Sequence, residues 1–187
     1  MNLKYSNITI SGGVAVGKNT LHTNLKDYLE PMGWTFTSGG QLLREFTKEY
    51  VQPLASLAPD KFHHELDDRT IKLLGDGKIV IEAWLAGFMA RGRSDTLRVL
   101  LTCQNDALRV DRVVNRDNVS IEEAKKYIKE REDGNFKEWK RIYGDFNFFA
   151  PEYYHLVLDT YSSGPNETVG RVLDKLGYTH NSDKQVV

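Results

Sequence analysis

The run from Ile8 to Thr20, Ile-Thr-Ile-Ser-Gly-Gly-Val-Ala-Val-Gly-Lys-Asn-Thr, constrains this chain more than any other stretch. Ile8 and Ile10 predict a strand, Leu21, Leu25 and Leu29 repeat at helical spacing behind it, and between them lies the spacing G-x-x-x-x-G-K of Gly12, Gly17 and Lys18. Glycines at those places let successive backbone N–H groups turn inward around an anion. The lysine reaches the outer phosphates, and the helix start adds the positive end of its dipole. Gly12, Gly13, Val14, Ala15, Val16, Gly17, Lys18, Asn19 and Thr20 are therefore expected to cradle the phosphates of a nucleotide. Asn19 stands where a Ser or Thr hydroxyl normally meets magnesium, and Thr20 follows one residue late.

The rest of the chain alternates helices with short apolar strands. Pro31 and Gly33 stop the first helix near Leu29, and Trp34 to Thr37 reads as a strand running into Ser38-Gly39-Gly40. Leu42, Leu43, Phe46 and Tyr50 predict a helix from Gln41 to about Val51, with Arg44 and Lys48 on its polar side. A second helix spans about Pro59 to Leu74. Ile79-Val80-Ile81, ending at Glu82, and Leu97 to Leu101 read as buried strands; a helix follows from about Asn105 to Arg116. Ser120 with Glu123 is a capping box opening another helix. Leu156 to Leu158 is the last strand, and a closing helix runs from Gly164-Pro165 to Leu176. Continuous apolar strands alternating with helices imply a parallel sheet covered on both faces.

Several charges call for an explanation. Arg109, Arg112 and Arg116 are spaced to share one helix face, either a solvated face eased by Asp106 and Asp111 or an anion site. In the next helix Ile121, Ala124, Ile128, Arg131, Asn135, Trp139 and Ile142 form one stripe, so Arg131 interrupts an inward-facing row and needs a partner. Gly134 is expected to weaken that helix, as a bending lid would require. His63, His64, Asp67 and Asp68 offer too few ligands for a divalent site. The aromatic residues from Phe146 to Tyr154 are expected to pack on the core. Glu82, at the carboxyl end of a strand, stands where ligands gather in α/β sheets.

With 187 residues, one compact domain is expected over 1–187, with a polar tail from about 179. A net charge of -1 gives no general attraction to nucleic acid polymers or anionic membranes, so anion recognition must be local. The lone Cys103, in an apolar run, reads as core and fits a cytoplasmic protein. Ile79 to Ala90, the longest largely apolar window, is too short to span a bilayer.

Together these motifs resemble the cytidylate kinase-like branch of the nucleoside monophosphate kinases. The resemblance runs from about Asn7 to Leu176, through the phosphate loop, Ser38-Gly39-Gly40-x-x-x-Arg44, Asp67-Asp68-Arg69, Ile81 to Gly87, Arg109-x-x-Arg112-x-x-x-Arg116, Arg131-Glu132 and Tyr143-Gly144. It implies the three-layer α/β sandwich of P-loop NTPases, with a mostly five-stranded parallel sheet, acceptor-binding helices at about 40–75 and a helical lid at about 118–145. It further implies magnesium-dependent phosphoryl transfer from ATP to a nucleoside monophosphate of the CMP or dCMP type, by a monomer or homodimer. Lys18, Arg112, Arg116 and Arg131 would stabilise the transferred group. Ser38, Gly39, Arg44, Asp67, Arg69 and Trp84 would contact the acceptor. Thr20, and Glu82 through water, would serve the metal.

Two positions depart from the family pattern. Ala83-Trp84 replaces the Gly-Arg of Glu-Gly-Arg-Leu, and Glu138 stands near the place of a second lid arginine. An indole cannot make a guanidinium's bidentate bonds. These departures keep two other readings open: a kinase of a small hydroxyl compound with Asp67 or Asp68 as general base, and a nucleotide-binding protein of weak kinase activity. A GTPase switch is disfavoured, because no Asn-Lys-x-Asp guanine motif is present and the one D-x-x-G, Asp174 to Gly177, falls in the terminal helix.

Overall fold

The computed structural model describes residues 3–46 and 60–179. Its centre is a five-stranded sheet of β1 (Asn7–Ser11), β2 (Thr35–Ser38), β3 (Ile79–Glu82), β4 (Thr96–Thr102) and β5 (Leu156–Asp159), in the order β2-β3-β1-β4-β5. Every pairing is parallel. Parallel neighbours need crossovers, and the helices that supply them cover both faces of the sheet. On one face Ile8, Ile10, Val80, Val99 and Leu101 pack with Leu21, Leu25 and Leu29 from the first helical segment and Val169, Val172 and Leu173 from the last. On the other, Ile79 and Ile81 pack with Leu74, Ala86 and Ala90. Burial of each large aliphatic side chain contributes roughly 1.5–3 kcal/mol, which is why these strands need no alternation of polar residues.

The helices are α1 (Lys18–Asn24), α2 (Lys26–Leu29), α3 (Gly39–Phe46), α4 (Asp60–Asp76), α5 (Ala86–Met89), α6 (Asp106–Asp117), α7 (Ile121–Tyr143) and α8 (Pro165–Leu176). The expected single helix behind the phosphate loop is broken at Leu25 and continues as α2 and a 3-10 turn at Glu30–Met32. The short α5 lies in an apolar stretch that carries no helical period. Half of the helix expected at 41–51 falls outside the described residues.

The helix α7, expected as a lid, differs from expectation at two places. It runs unbroken through Gly134 for 23 residues, so the glycine makes no hinge in this conformation. Its stripe buries Ala124, Ile128, Asn135 and Trp139, whereas Ile121 at the first turn is 58% exposed because the stripe has not yet met the body of the protein. The capping box is present: Ser120 Oγ accepts from Glu123 N–H at 3.2 Å and Glu123 Oε2 accepts from Ser120 N–H at 2.8 Å. Trp139 continues into a cluster with Leu85, Phe88 and Phe148, so Phe148 is core, with Phe149 and Tyr153 packed against it, whereas Phe146 is 40% exposed. Cys103 is buried as well.

This packing sets the register at the carboxyl edge of the sheet. Ile10 and Ser38 both lie opposite Glu82, which brings the end of β1, the start of α3 and the Glu82 carboxylate side by side. Ligands of open α/β sheets bind at such an edge, where the strand order reverses.

Candidate active site

The phosphate loop leaves β1 at Gly12, whose φ of 142° is closed to other residues and whose Cα faces Leu101 O so closely that a side chain would collide with it. Ala15 also takes a positive φ, 56°, a cost the surrounding contacts must offset. Those contacts are unusually complete. Lys18 Nζ donates to Gly13 O (2.7 Å), Arg109 Nε to Val14 O (3.1 Å), Arg112 Nη1 to Ala15 O (2.9 Å) and Thr160 Oγ1 to Val16 O (3.1 Å). Consecutive carbonyls are thus satisfied by side chains, which holds the peptide planes of the loop.

Arg112 therefore differs from its expected place over the transferred group. Its guanidinium is turned onto Ala15 O, Thr160 Oγ1 and Thr160 O. Arg109, Glu132 and Thr160 were absent from the expected site. Arg109 and Glu132 fall in segments that the resemblance covers, but nothing in the sequence pairs either with the loop, and Thr160 has no signal.

Lys18 is buried, 3.7 Å from Glu82. Burial pushes the lysine pKa down and the glutamate pKa up, and each charge opposes the shift of the other. Two cavities meet at this lysine. One, of about 500 Å³, is lined by Ser38, Gly39, Arg44, Asp67, Trp84 and Arg131 among others; the second, of about 490 Å³, is lined by Gly17, Thr20, Arg112, Asn115, Thr160 and Thr168 among others. Ala15, Lys18, Asn19 and Arg116 line both. Arg69 lines neither. The expected metal positions are divided, with Glu82 on the first cavity and Thr20 on the second. Among the described residues no three His, Cys, Asp or Glu side chains are grouped to hold a metal.

In the first cavity, Arg131 has the partner its inward position requires: it donates to Tyr127 Oη, and its guanidinium lies 5.9 Å from the Trp84 ring centroid. Lys18 Nζ lies over the same indole at 5.3 Å, and the indole meets Trp139 edge to face at 5.4 Å. Arg116 is half exposed and paired with Asp117. Asp67 accepts from Tyr143 Oη at 2.6 Å, and burial raises its pKa to about 6. Glu138 lines neither cavity. Arg141 binds it at 2.7 Å and donates to Asp60 Oδ2 at 3.0 Å, tying the outer side of α7 to α4.

A phosphate loop at the edge of a five-stranded parallel sheet, with one cavity on each side of its lysine and a long helix over one of them, defines the P-loop kinase class. Solved structures agree at the level of fold. A shikimate kinase from Acinetobacter baumannii in complex with shikimate has a TM-score of 0.59 at 14% identity, covering 91% of this chain and 92% of that one. A gluconokinase from Sinorhizobium meliloti 1021 has a TM-score of 0.60 at 12% identity, covering 94% of each chain. An uncharacterized protein from Eubacterium ventriosum scores 0.72 at 13% identity, covering 92% of this chain and 99% of that one.

Sequence narrows the class further. Residues 35–162 match the model of the cytidylate kinase-like family. A cytidylate kinase from Thermococcus sibiricus is 35% identical over 173 residues, covering 89% of this chain and 85% of that protein. One from Methanopyrus kandleri is 30% identical over 178 residues, covering 86% and 88%. The chain belongs to the cytidylate kinase-like family, and it is an enzyme of the nucleoside monophosphate kinase type. No helix among the described residues is long and apolar enough to cross a membrane.

Proposed function

We propose that this enzyme transfers the γ-phosphoryl group of ATP to CMP or dCMP. The observation that carries the reading is the pair of cavities that share Lys18 and Arg116. The one bounded by α6 and α8 takes the donor; the one bounded by α3, α4 and α7 takes the acceptor. A phosphate bound on each side brings nucleophile and electrophile together at the lysine. An acceptor phosphate is already an anion, so positioning and charge neutralisation do most of the work.

Lys18 exchanges Gly13 O for donor phosphate oxygens, while the inward N–H groups of the loop hold the same phosphates. Arg116 and Arg131 face the space between the two phosphates and neutralise charge that spreads in the transition state. Arg112 acts one step back, by holding the loop. Ser38, at the end of β2, and Arg44, in the last turn of α3, face the acceptor phosphate, and Asp67 with Tyr143 offers further polar contacts in the cavity. A magnesium ion held largely by phosphates and water would take the Thr20 hydroxyl on the donor side, and Glu82, which lines the other cavity and is paired with Lys18, would reach it only through water. Bound there, magnesium would neutralise phosphate charge.

One observation favours a second reading, a small hydroxyl acceptor: Asp67, with its pKa raised to about 6, is suited to accept a hydroxyl proton. A coupled ADP-release assay over all ribo- and deoxyribonucleoside monophosphates, shikimate and gluconate separates the readings. Turnover highest with CMP or dCMP is expected. Turnover confined to a hydroxyl compound, or tight nucleotide binding without turnover on the whole panel, would overturn the proposal.

A further inference from the structure

Val14 is gripped at both ends of its backbone by two side chains that also grip each other. Its carbonyl accepts from Arg109 Nε at 3.1 Å, its N–H donates to Glu132 Oε1 at 3.1 Å, and Arg109 Nη2 is paired with that same carboxylate oxygen. The result is a closed ring of bonds. One member belongs to the phosphate loop, one to α6 and one to the lid helix α7. Both side chains are largely shielded, at 14% and 23% exposure, so the ring is less screened than a surface pair. The carboxylate rests directly on the loop, since a Cβ at Gly13 would lie 2.5 Å from Glu132 Oε1. Beneath it, Val14 packs its side chain with Val113 of α6 and Ala124 and Ile128 of α7.

Other charged groups near the loop have different assignments. Lys18 belongs to Glu82 and Gly13 O, Arg112 to Ala15 O and Thr160, and Arg131 to Tyr127 and Trp84. Glu132 is the carboxylate of α7 that bonds a backbone N–H of the phosphate loop. A carboxylate accepting from a backbone amide while paired with a guanidinium is among the stronger hydrogen-bond arrangements available to a protein.

We propose that Glu132 is a positioning residue through which the lid helix sets the conformation of the phosphate loop. With α7 in its observed place, the carboxylate fixes the Val14 peptide and aligns Arg109 on the Val14 carbonyl. When α7 moves away, the Val14 N–H and Arg109 lose Glu132 together, leaving Arg109 with Asp106 of its own helix at 3.2 Å, and the first turn of the loop is released. Donor binding and lid position are thereby coupled at a single residue, through the peptide units on either side of it. The inference rests on reading α7 as the lid, but the bonds it concerns exist without any ligand.

The test is amide hydrogen exchange at Val14 in the full chain without nucleotide, comparing the parent with Glu132→Ala and Glu132→Gln. Loss of one charge-assisted bond predicts exchange faster by roughly tenfold or more in Glu132→Ala, with the amides of β1 and β4 unchanged. Glu132→Gln keeps a neutral acceptor for the Val14 N–H and should fall between the two. In the same variants the KM for ATP should rise several-fold in the same order, with thermal midpoints close to the parent. Unchanged Val14 protection in a folded Glu132→Ala protein would overturn the proposal. So would tighter ATP binding in that variant, which would make the carboxylate a competitor of phosphate. Should Glu132→Ala not fold, the Glu132→Gln exchange rate decides in the same way. Exchange is read without turnover, so failure here is distinct from failure of the kinase assignment.

Discussion

The Asp67 carboxyl permits a prediction with a worked magnitude. Its pKa is raised from 3.8 to about 6, chiefly by burial in the acceptor cavity, while the Tyr143 hydroxyl opposes the rise. Below 3.8 folded and unfolded chains both carry the proton; between 3.8 and 6 only the unfolded chain ionises freely. The stability this group confers is thus complete at low pH and is lost as pH rises through about 6. The interval corresponds to about 3 kcal/mol as an upper bound, because Asp67 is only half-buried. Asp67→Asn removes the titration while retaining an acceptor for Tyr143. Urea unfolding of both proteins from pH 4 to pH 8 should show the variant gaining on the parent by up to that amount and levelling off above about pH 7. Tyr143→Phe should move the midpoint further up, because the hydroxyl favours the ionised form. A saturating acceptor that donates to the carboxylate should move it down. A stability difference that stays flat across this range would refute the account of Asp67 as a desolvated carboxyl.

Three further perturbations test the rest of the site. Lys18→Ala should lower turnover by at least about a hundredfold with the thermal midpoint retained; an active, folded variant would remove the lysine from the transfer step. Trp84→Arg should lower the KM for the preferred monophosphate by about tenfold if the acceptor phosphate lies beside residue 84, and a raised KM for every monophosphate would place it elsewhere. Gly87 donates its N–H to Ser11 Oγ at 2.8 Å and faces the Tyr154 ring without room for a Cβ. Gly87→Ala should therefore cost about 1–3 kcal/mol in urea unfolding, and a neutral effect would contradict the tight packing behind the loop.

Much of the fold was legible because its signals are local. The continuously buried strands β1 and β3, Gly12 at a backbone angle closed to side chains, and the Ser120–Glu123 capping box each act within a few residues, and each is where the pattern put it, whereas the edge strands β2 and β5 are only partly covered. The site was legible only as far as its motifs reach. Lys18 of the loop, Arg131 of the stripe and Trp84, which the resemblance brought in, line one cavity. What escaped was the destination of long side chains. Arg109, Arg112 and Arg116 share one helix and one spacing. The first two nevertheless reach carbonyls of the loop and the third reaches Asp117. Spacing fixes the face of a helix and leaves open what that face meets.

The two departures from the family pattern also acquire a common physical sense. An arginine at position 84 would stand beside Lys18 and Arg131, whose charges already oppose each other, with Glu82 the chief counter-charge against Lys18. The indole offers its face to each of these two cations, a cation–π contact worth roughly 0.5–2 kcal/mol that needs no further anion. Glu138, for its part, takes no place in the acceptor cavity and instead secures Arg141 beside Asp60. The acceptor side of the enzyme therefore carries one fewer cation than a Gly-Arg at 83–84 would supply, while its lid keeps a bonded anchor to α4. On the proposed reading, an acceptor phosphate entering this cavity would draw its neutralisation from Arg44, Arg116 and Arg131 beside Lys18, all of which line it. Removal of any one of the three should weaken acceptor binding more here than where a fourth guanidinium shares the charge.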